Sequence, residues 1–300
     1  MELCLGTVQF GMNYGVYNTQ KKDADYCVKC LDYATQNGIS AIDTAAAYGT
    51  AEEVVGAFLE KKTISRDKIW ISTKFLPNIL DNCEQKDYRY VIKQNLEKSL
   101  KTLHIDYVDT YFLHSSRYAF REDILEALSY VQKDGLARKI GVSVYYPEEA
   151  LACYKSSYVD YIQAPYSIFD HRMEQKGIFE KNNMGNCSVD VRTAFIKGLI
   201  RLGIDEIPEY LSKAKPILKQ LDVICEKTGY SRIDLAIGYI KRQKNIKHLV
   251  FGIRNLEQLK EDIDSFGKVI CSDIFQEIDK VFENIDTDIV VPSLWKRKGD

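Results

Sequence analysis

Four polar residues stand at or just past the ends of short apolar runs: Asp43 and Tyr48 in SAIDTAAAYG, Lys74 in IWISTK and His114 in YVDTYFLH. A carboxylate, a phenol, an amine and an imidazole brought together make an acid whose strength its neighbours can set. A free phenol titrates near ~10 and is a weak acid at neutral pH. An ammonium beside it favours the phenolate, and a carboxylate beside the ammonium keeps that ammonium charged. Such a set does proton transfer, and a carbonyl oxygen is its natural partner. Each residue also has a plainer reading: Asp43 as a loop cap, Lys74 as its rim partner, Tyr48 as one of 20 packing tyrosines, His114 as a hydrogen-bonded core histidine. Their occurrence together, in order and at strand ends, favours the chemistry.

What must position them is an alternation of strand and helix patterns. Strands are expected over 5–10, 39–42, 69–73, 107–113, 139–144, 161–164, 188–192 and 246–252. Helices are expected over 24–36, 51–61, 88–103, 121–133, onward from Pro147, and over 172–181, 212–244, 255–266 and 271–282. Gly38 after Asn37 reads as a helix stop and Pro147 as a first helical residue. About eight such units demand a parallel sheet with helices outside it. They fit a single (β/α)₈ TIM barrel over residues 1–300 better than a doubly wound sheet, and no G-x-G-x-x-G follows the first strand. In a barrel, polar groups at the carboxyl ends of the strands converge on one mouth.

Composition narrows the setting. With 41 basic against 43 acidic residues and a formal net charge of −2, there is no electrostatic case for nucleic acid or an anionic membrane. No stretch approaches ~18 consecutive apolar residues, and the opening MELCLGTVQFG lacks the pattern of a signal peptide. A soluble, cytoplasmic protein is the expectation. Of eight cysteines only Cys27 and Cys30 form a C-x-x-C, inside a helical pattern and without a second pair or a His pair at zinc spacing. Reduced, mostly buried thiols and no metal are expected. The histidines, His104, His114, His171 and His248, leave only His114 well placed for chemistry, which argues against a metal-dependent hydrolase or lyase.

The ordered segments LGTVQFG, DTAAAYGTAEEVVG, STKF, YVDTYFLH, GVSVYYP, YIQAPYS, FIKGLI and FGIRNLEQLKEDI resemble the aldo-keto reductase superfamily over essentially the whole chain. The resemblance implies a (β/α)₈ barrel that binds NADPH, or NADH, across its carboxyl-end mouth and reduces an aldehyde or ketone. Tyr48 would be the acid, Lys74 would lower its pKa, Asp43 would hold Lys74, and His114 would orient the carbonyl. Ser143 and Gln163 match positions that hold the nicotinamide carboxamide, with Val144 where family members usually carry Asn. Arg192 stands where many members stack an aromatic ring on the nicotinamide. Thr193, Phe195 and Lys197 match a loop that folds over the pyrophosphate. Arg254, at a helix start with free backbone N–H groups, would take a 2′-phosphate. Gln258 stands where NADPH-preferring members often carry Arg, and Glu261 with Asp262 match the pair that reads the adenine edge. Gly6, Thr7 and Gly252 would allow close backbone approach.

The opening segment is similar to bacterial members associated with sugar metabolism, which implies a small polar, sugar-derived carbonyl substrate. The stretches 12–14, 115–120 and the last dozen residues would shape its pocket, with Tyr14, Tyr118, Tyr145, Tyr146 and Trp295 as candidate linings. A cofactor-binding sensor of the same fold with little turnover is the alternative.

Overall fold

Strands β1 (Glu2–Gly6), β2 (Ala41–Asp43), β3 (Trp70–Phe75), β4 (Val108–Leu113), β5 (Ala137–Ser143), β6 (Tyr161–Pro165), β7 (Ser188–Arg192) and β8 (Ile246–Gly252) run in parallel, in sequence order. β8 pairs with β1, so the sheet closes into a barrel. The structure is a computed structural model that describes residues 1–16 and 20–295. Closure leaves no sheet edge, and both faces of every strand are covered, which is why these strands read as near-continuous apolar runs.

Side chains alternate between the barrel interior and the helices. Cys4, Ala41 and Val250 form a small interior cluster with Trp70, apart from the large core between sheet and helices. Trp70 also meets the rings of Tyr161 and His248, at 5.9 and 5.7 Å between centroids. Two residues further along the same strands the interior turns polar: Asp43 follows Ala41, Ser72 and then Lys74 follow Trp70, and Gln163 follows Tyr161. Gly141 leaves room for Phe112, because a Cβ there would lie 2.7 Å from Phe112 Cε1 and 2.4 Å from the Tyr161 carbonyl oxygen. His114 stands two residues beyond Phe112, at the mouth.

The outer helices follow the expected patterns where both ends carry signals. Helix Ala24–Gln36 starts at Asp23, whose carboxylate accepts from Tyr26 N at 2.9 Å, and buries Cys27, Val28, Cys30, Leu31 and Ala34. Losing such a cap costs about 1 kcal/mol. Helix Pro147–Lys155 begins at the proline as expected. Three expectations need correction. The first strand is Glu2–Gly6, and Val8–Gly11 is a helical turn, because Thr7 donates from its N (3.0 Å) and its Oγ1 (3.1 Å) to the Asp43 carbonyl and turns the chain over the rim. The helix expected over 212–244 is two, Ala214–Thr228 and Arg232–Lys241, split by Gly229 at φ +75° and restarted by the Ser231–Asp234 capping box. The helix expected over 172–181 is reduced to the short turns Arg172–Gln175 and Lys181–Met184.

All eight cysteines are free thiols, five of them buried. Among the described residues no three His, Cys, Asp or Glu side chains converge as a metal site, and no helix is long and apolar enough to cross a membrane.

Candidate active site

Asp43, Lys74, Tyr48 and His114 meet at the carboxyl end of the barrel. Lys74 Nζ lies 2.5 Å from Asp43 Oδ2 and 2.9 Å from the Thr44 carbonyl oxygen, with both side chains buried. Asp43 Oδ1 also accepts from Gln163 Nε2 at 2.8 Å and Ser72 Oγ at 3.3 Å. The pair is therefore compensated in place, as a buried ion pair must be. Tyr48 stands on the loop after β2, where Tyr48 N donates to the Ala45 carbonyl at 2.9 Å. Gly11 backs that loop so closely that a Cβ would lie 1.7 Å from the Tyr48 carbonyl oxygen. The Tyr48 ring meets Lys74 Nζ at 5.1 Å and the His114 ring edge-on at 5.7 Å.

Burial holds the Tyr48 phenol well above its usual value; Asp43 pushes it further and Arg192 opposes. His114 goes the other way. Burial, then the charges of Lys74 and Arg192, push its imidazole down to about 3, so the ring is neutral at pH 7. The two groups separate by role: a phenol that keeps its proton and an imidazole that does not take one up.

The polar atoms facing the mouth are under-used by the protein. His114 Nδ1 is buried without a partner, and neither the Tyr48 hydroxyl, Ser143 Oγ nor Gln163 Oε1 makes a hydrogen bond within the described residues. Tyr48, His114, Ser143 and Gln163 line one cleft of about 1310 Å³, its mouth included, together with Gly6, Thr7, Arg192, Thr193, Phe195, Lys197, Gly252, Arg254 and Gln258. Register places Gly6 beside both Asp43 and Gly252, so part of the rim is bare backbone.

The loop after β7 carries strain. Thr193, Ile196 and Lys197 have φ of 69°, 48° and 53°, followed by Gly198 at 91°. Left-handed β-branched residues are costly and concentrate at ligand-binding segments. Lys197 Nζ lies 5.1 Å from the Tyr14 ring. Beyond this loop stands Arg201, which the sequence reading did not single out. It stacks on Phe195 at 4.5 Å and donates to both Glu261 and Asp262. Glu261 and Asp262 therefore do not line the cleft; they hold Arg201, which does. Asp262 is fully buried, and burial pushes its carboxyl up to about 7 against the pull of Arg201. Its signal in sequence was only an arginine four residues past Lys197.

Helix Leu256–Gly267 reaches the same cleft, but its first N–H groups are less free than expected. Leu256 N donates to Tyr26 Oη at 3.0 Å, Gln258 N to the Asn255 cap at 2.9 Å, and Arg254 N to Gln258 Oε1 at 2.9 Å. The Arg254 guanidinium makes no hydrogen bond within the described residues. Of the expected pocket aromatics, Tyr14 and Tyr145 line the cleft. Tyr118 is buried and donates to Asp81, Tyr146 lies over Arg172, and Trp295 is buried with its Nε1 on the Ile289 carbonyl. The last dozen residues reach the cleft through Pro292 and Ser293, and 296–300 lie outside the described residues.

A barrel with a buried Asp–Lys pair under a tyrosine and a histidine at its mouth is the architecture of an oxidoreductase of the aldo-keto type. A profile of the aldo/keto reductase family matches residues 2–283, and the chain belongs to that family. Relatives include the aldo-keto reductase YhdN of Bacillus subtilis, 27% identical over 299 residues, covering 90% of this chain and 87% of that one. Norsolorinic acid reductase A of Aspergillus parasiticus is 23% identical over 300 residues, 92% of this chain and 76% of its own. In fold, the chain is similar to the holo form of an aldo-keto reductase from Bacillus halodurans, with TM-score 0.76, 24% identity and coverage of 93% and 91%. A glycerol dehydrogenase from Gluconobacter oxydans gives TM-score 0.73 at 23% identity, covering 97% and 92%.

Proposed function

We propose that this protein reduces an aldehyde or ketone with NADPH, and that NADH serves less well. The observation that carries this reading is the convergence of Tyr48, His114, Ser143 and Gln163 on one cleft beside a compensated Asp43–Lys74 pair. Ser143 and Gln163 offer a hydroxyl and an amide oxygen that suit a carboxamide. The strained loop with Lys197, then Arg201 and Arg254, offers cations where phosphates would lie. The donor set thus fits a nicotinamide dinucleotide, which supplies the hydride to the carbonyl carbon.

The protein's share is the proton and the position. Tyr48 keeps its proton at neutral pH and gives it to the carbonyl oxygen as negative charge develops there. His114, neutral at this end of the cleft, donates a hydrogen bond to that oxygen and is not the proton source. Asp43 fixes Lys74 beside the tyrosine ring, and Lys74 with Arg192 favours the negative charge left on Tyr48 after transfer. Gln9, Tyr14, Tyr145 and Ser293 add polar groups to the cleft lining, which suits a small hydroxylated, sugar-derived substrate.

The test is titration of the protein with NADPH and NADH, followed by a panel of aldehydes monitored by loss of cofactor absorbance. Tight NADPH binding with turnover is the expected result. Binding without turnover across a broad panel would favour a sensor of the same fold, and no binding would sink the proposal.

A further inference from the structure

Among the described residues lining the cleft, four side chains are cationic, Arg192, Lys197, Arg201 and Arg254, against the single carboxylate Asp43. This holds in a chain whose formal net charge is −2. Asp43 is matched by Lys74, and Arg201 by Glu261 and Asp262. Lys197 and Arg254 belong to the arm proposed for phosphates. Arg192 is left, at the Tyr48–His114 end.

Its plane is held on three sides. Nη2 donates to the Val144 carbonyl at 2.8 Å, Nη1 donates to Thr193 Oγ1 at 3.0 Å, and the guanidinium stacks over Tyr145 at 4.4 Å. No carboxylate among the described residues pairs with it. Of the donors a guanidinium carries, roughly five, these bonds leave more than half for a ligand. A half-buried cation fixed this firmly keeps donors that no carboxylate among the described residues takes up. The group that complements a pre-oriented guanidinium is a carboxylate or phosphate, bound through two parallel hydrogen bonds. Arg192 is also near enough to the reaction centre for its charge to act on both Tyr48 and His114. An anion bound there would sit beside the carbonyl being reduced.

We infer, on the footing of the proposed carbonyl reduction, that Arg192 is a specificity residue that binds an acidic group of the substrate. The favoured substrate is then an aldehyde or ketone bearing a carboxylate or a phosphate, not its neutral counterpart. Rate constants with NADPH for matched pairs test this: 4-oxobutanoate against its methyl ester, D-glucuronate against D-glucose, and D-glyceraldehyde 3-phosphate against D-glyceraldehyde. The wild type is expected to favour the acid in at least one pair by roughly ten- to a hundredfold in kcat/KM, mostly through KM, as befits a charge-assisted bidentate contact. The carboxylate and phosphate pairs separate the two sources of charge. Whatever Arg192→Gln does to absolute rates, the acid-to-neutral ratio should collapse toward one, and Arg192→Lys should keep part of it. Succinate, which has no aldehyde or ketone to reduce, should bind the wild-type NADPH complex in calorimetry and fail to bind that of Arg192→Gln. Parity between acid and neutral members in the wild type, or a preference that survives Arg192→Gln, overturns the inference while leaving carbonyl reduction standing. No reduction of any member, acid or neutral, overturns both.

Discussion

The two ends of the barrel each hold a buried aspartate in an ion pair, and they use it differently. At the amino end Asp109, 1% exposed, accepts from Arg66 Nη2 at 2.7 Å, Ile71 N at 2.9 Å and Arg138 Nη1 at 3.1 Å. Each of the two guanidiniums lies 4.2 Å from the Tyr107 ring centroid, and Arg138 also donates to the Tyr107 hydroxyl. Of the buried side-chain polar atoms of this cluster, among the described residues, Arg66 Nε alone lacks an acceptor. At the carboxyl end Asp43 is as well satisfied, but the groups above it, Tyr48, His114 and Arg192, keep donors or acceptors unspent. A cluster that closes on itself stabilises; one that leaves polar atoms facing a cleft is built for something else to bind. This is the division of labour expected between the two faces of a (β/α)₈ barrel.

The widest separation between the ends should come from removing a single oxygen. Tyr48→Phe deletes the proposed acid while keeping the ring against Lys74 and His114. Carbonyl reduction should fall by ~10²–10⁴-fold, the usual worth of a general acid, with cofactor affinity and unfolding midpoint nearly unchanged. Near-normal rates in this variant would remove Tyr48 from the mechanism.

The converse substitution lies at the other end. Asp109→Ala leaves two guanidiniums and the Ile71 N–H without their acceptor, and should cost about 2–4 kcal/mol in denaturant unfolding; the partial exposure of Arg138 keeps it below the full cost of orphaning a buried charge. Assayed below its unfolding midpoint, the variant should retain wild-type kcat/KM. Lost activity at full folding would mean that the ends are coupled and the comparison fails.

The sequence showed the carboxyl end more clearly than the amino end, for physical reasons. Polar residues ending apolar runs stand out, and strand alternation with closure follows from eight repeated units, so the sequence alone brings Asp43, Tyr48, Lys74 and His114 together. Arg201 could not, because its partners Glu261 and Asp262 are some sixty residues away on another helix. Nor could the state of the first turn of Leu256–Gly267, whose Leu256 N–H is taken by Tyr26 from the far side of the chain. The first strand was misplaced because an apolar run as short as VQF carries no usable period, and the turn there is set by Thr7 bonding to Asp43.

The neutral state of His114 gives a pH test of the mouth. Its folded pKa, about 3, lies below the unfolded value of 6.5. Between those values the unfolded chain binds more protons than the folded one, so stability from this group is full above pH 6.5 and is lost as pH falls. From pH 6.5 to 5 the loss approaches roughly 2 kcal/mol. His114→Gln should remove that slope from the difference between the two proteins' stability curves. Parallel curves from pH 5 to 7 would show that the imidazole is not held neutral by its surroundings.

The smallest effect expected is also the most selective. The Arg254 guanidinium has no hydrogen bond among the described residues, while its backbone N–H is taken up by Gln258 Oε1. If that guanidinium receives a 2′-phosphate, Arg254→Ala should weaken NADPH about tenfold and NADH less than about twofold, since one half-exposed charge-assisted contact is lost. The same contact should be screened by salt: raising ionic strength should narrow the gap between wild type and variant for NADPH and leave the small gap for NADH almost unchanged. Equal losses for both cofactors would take Arg254 out of the phosphate role and leave NADPH preference to the strained loop and Arg201, which Glu261 and Asp262 already neutralise. That alternative is the weaker one on charge alone, so the ratio of the two dissociation constants decides between them.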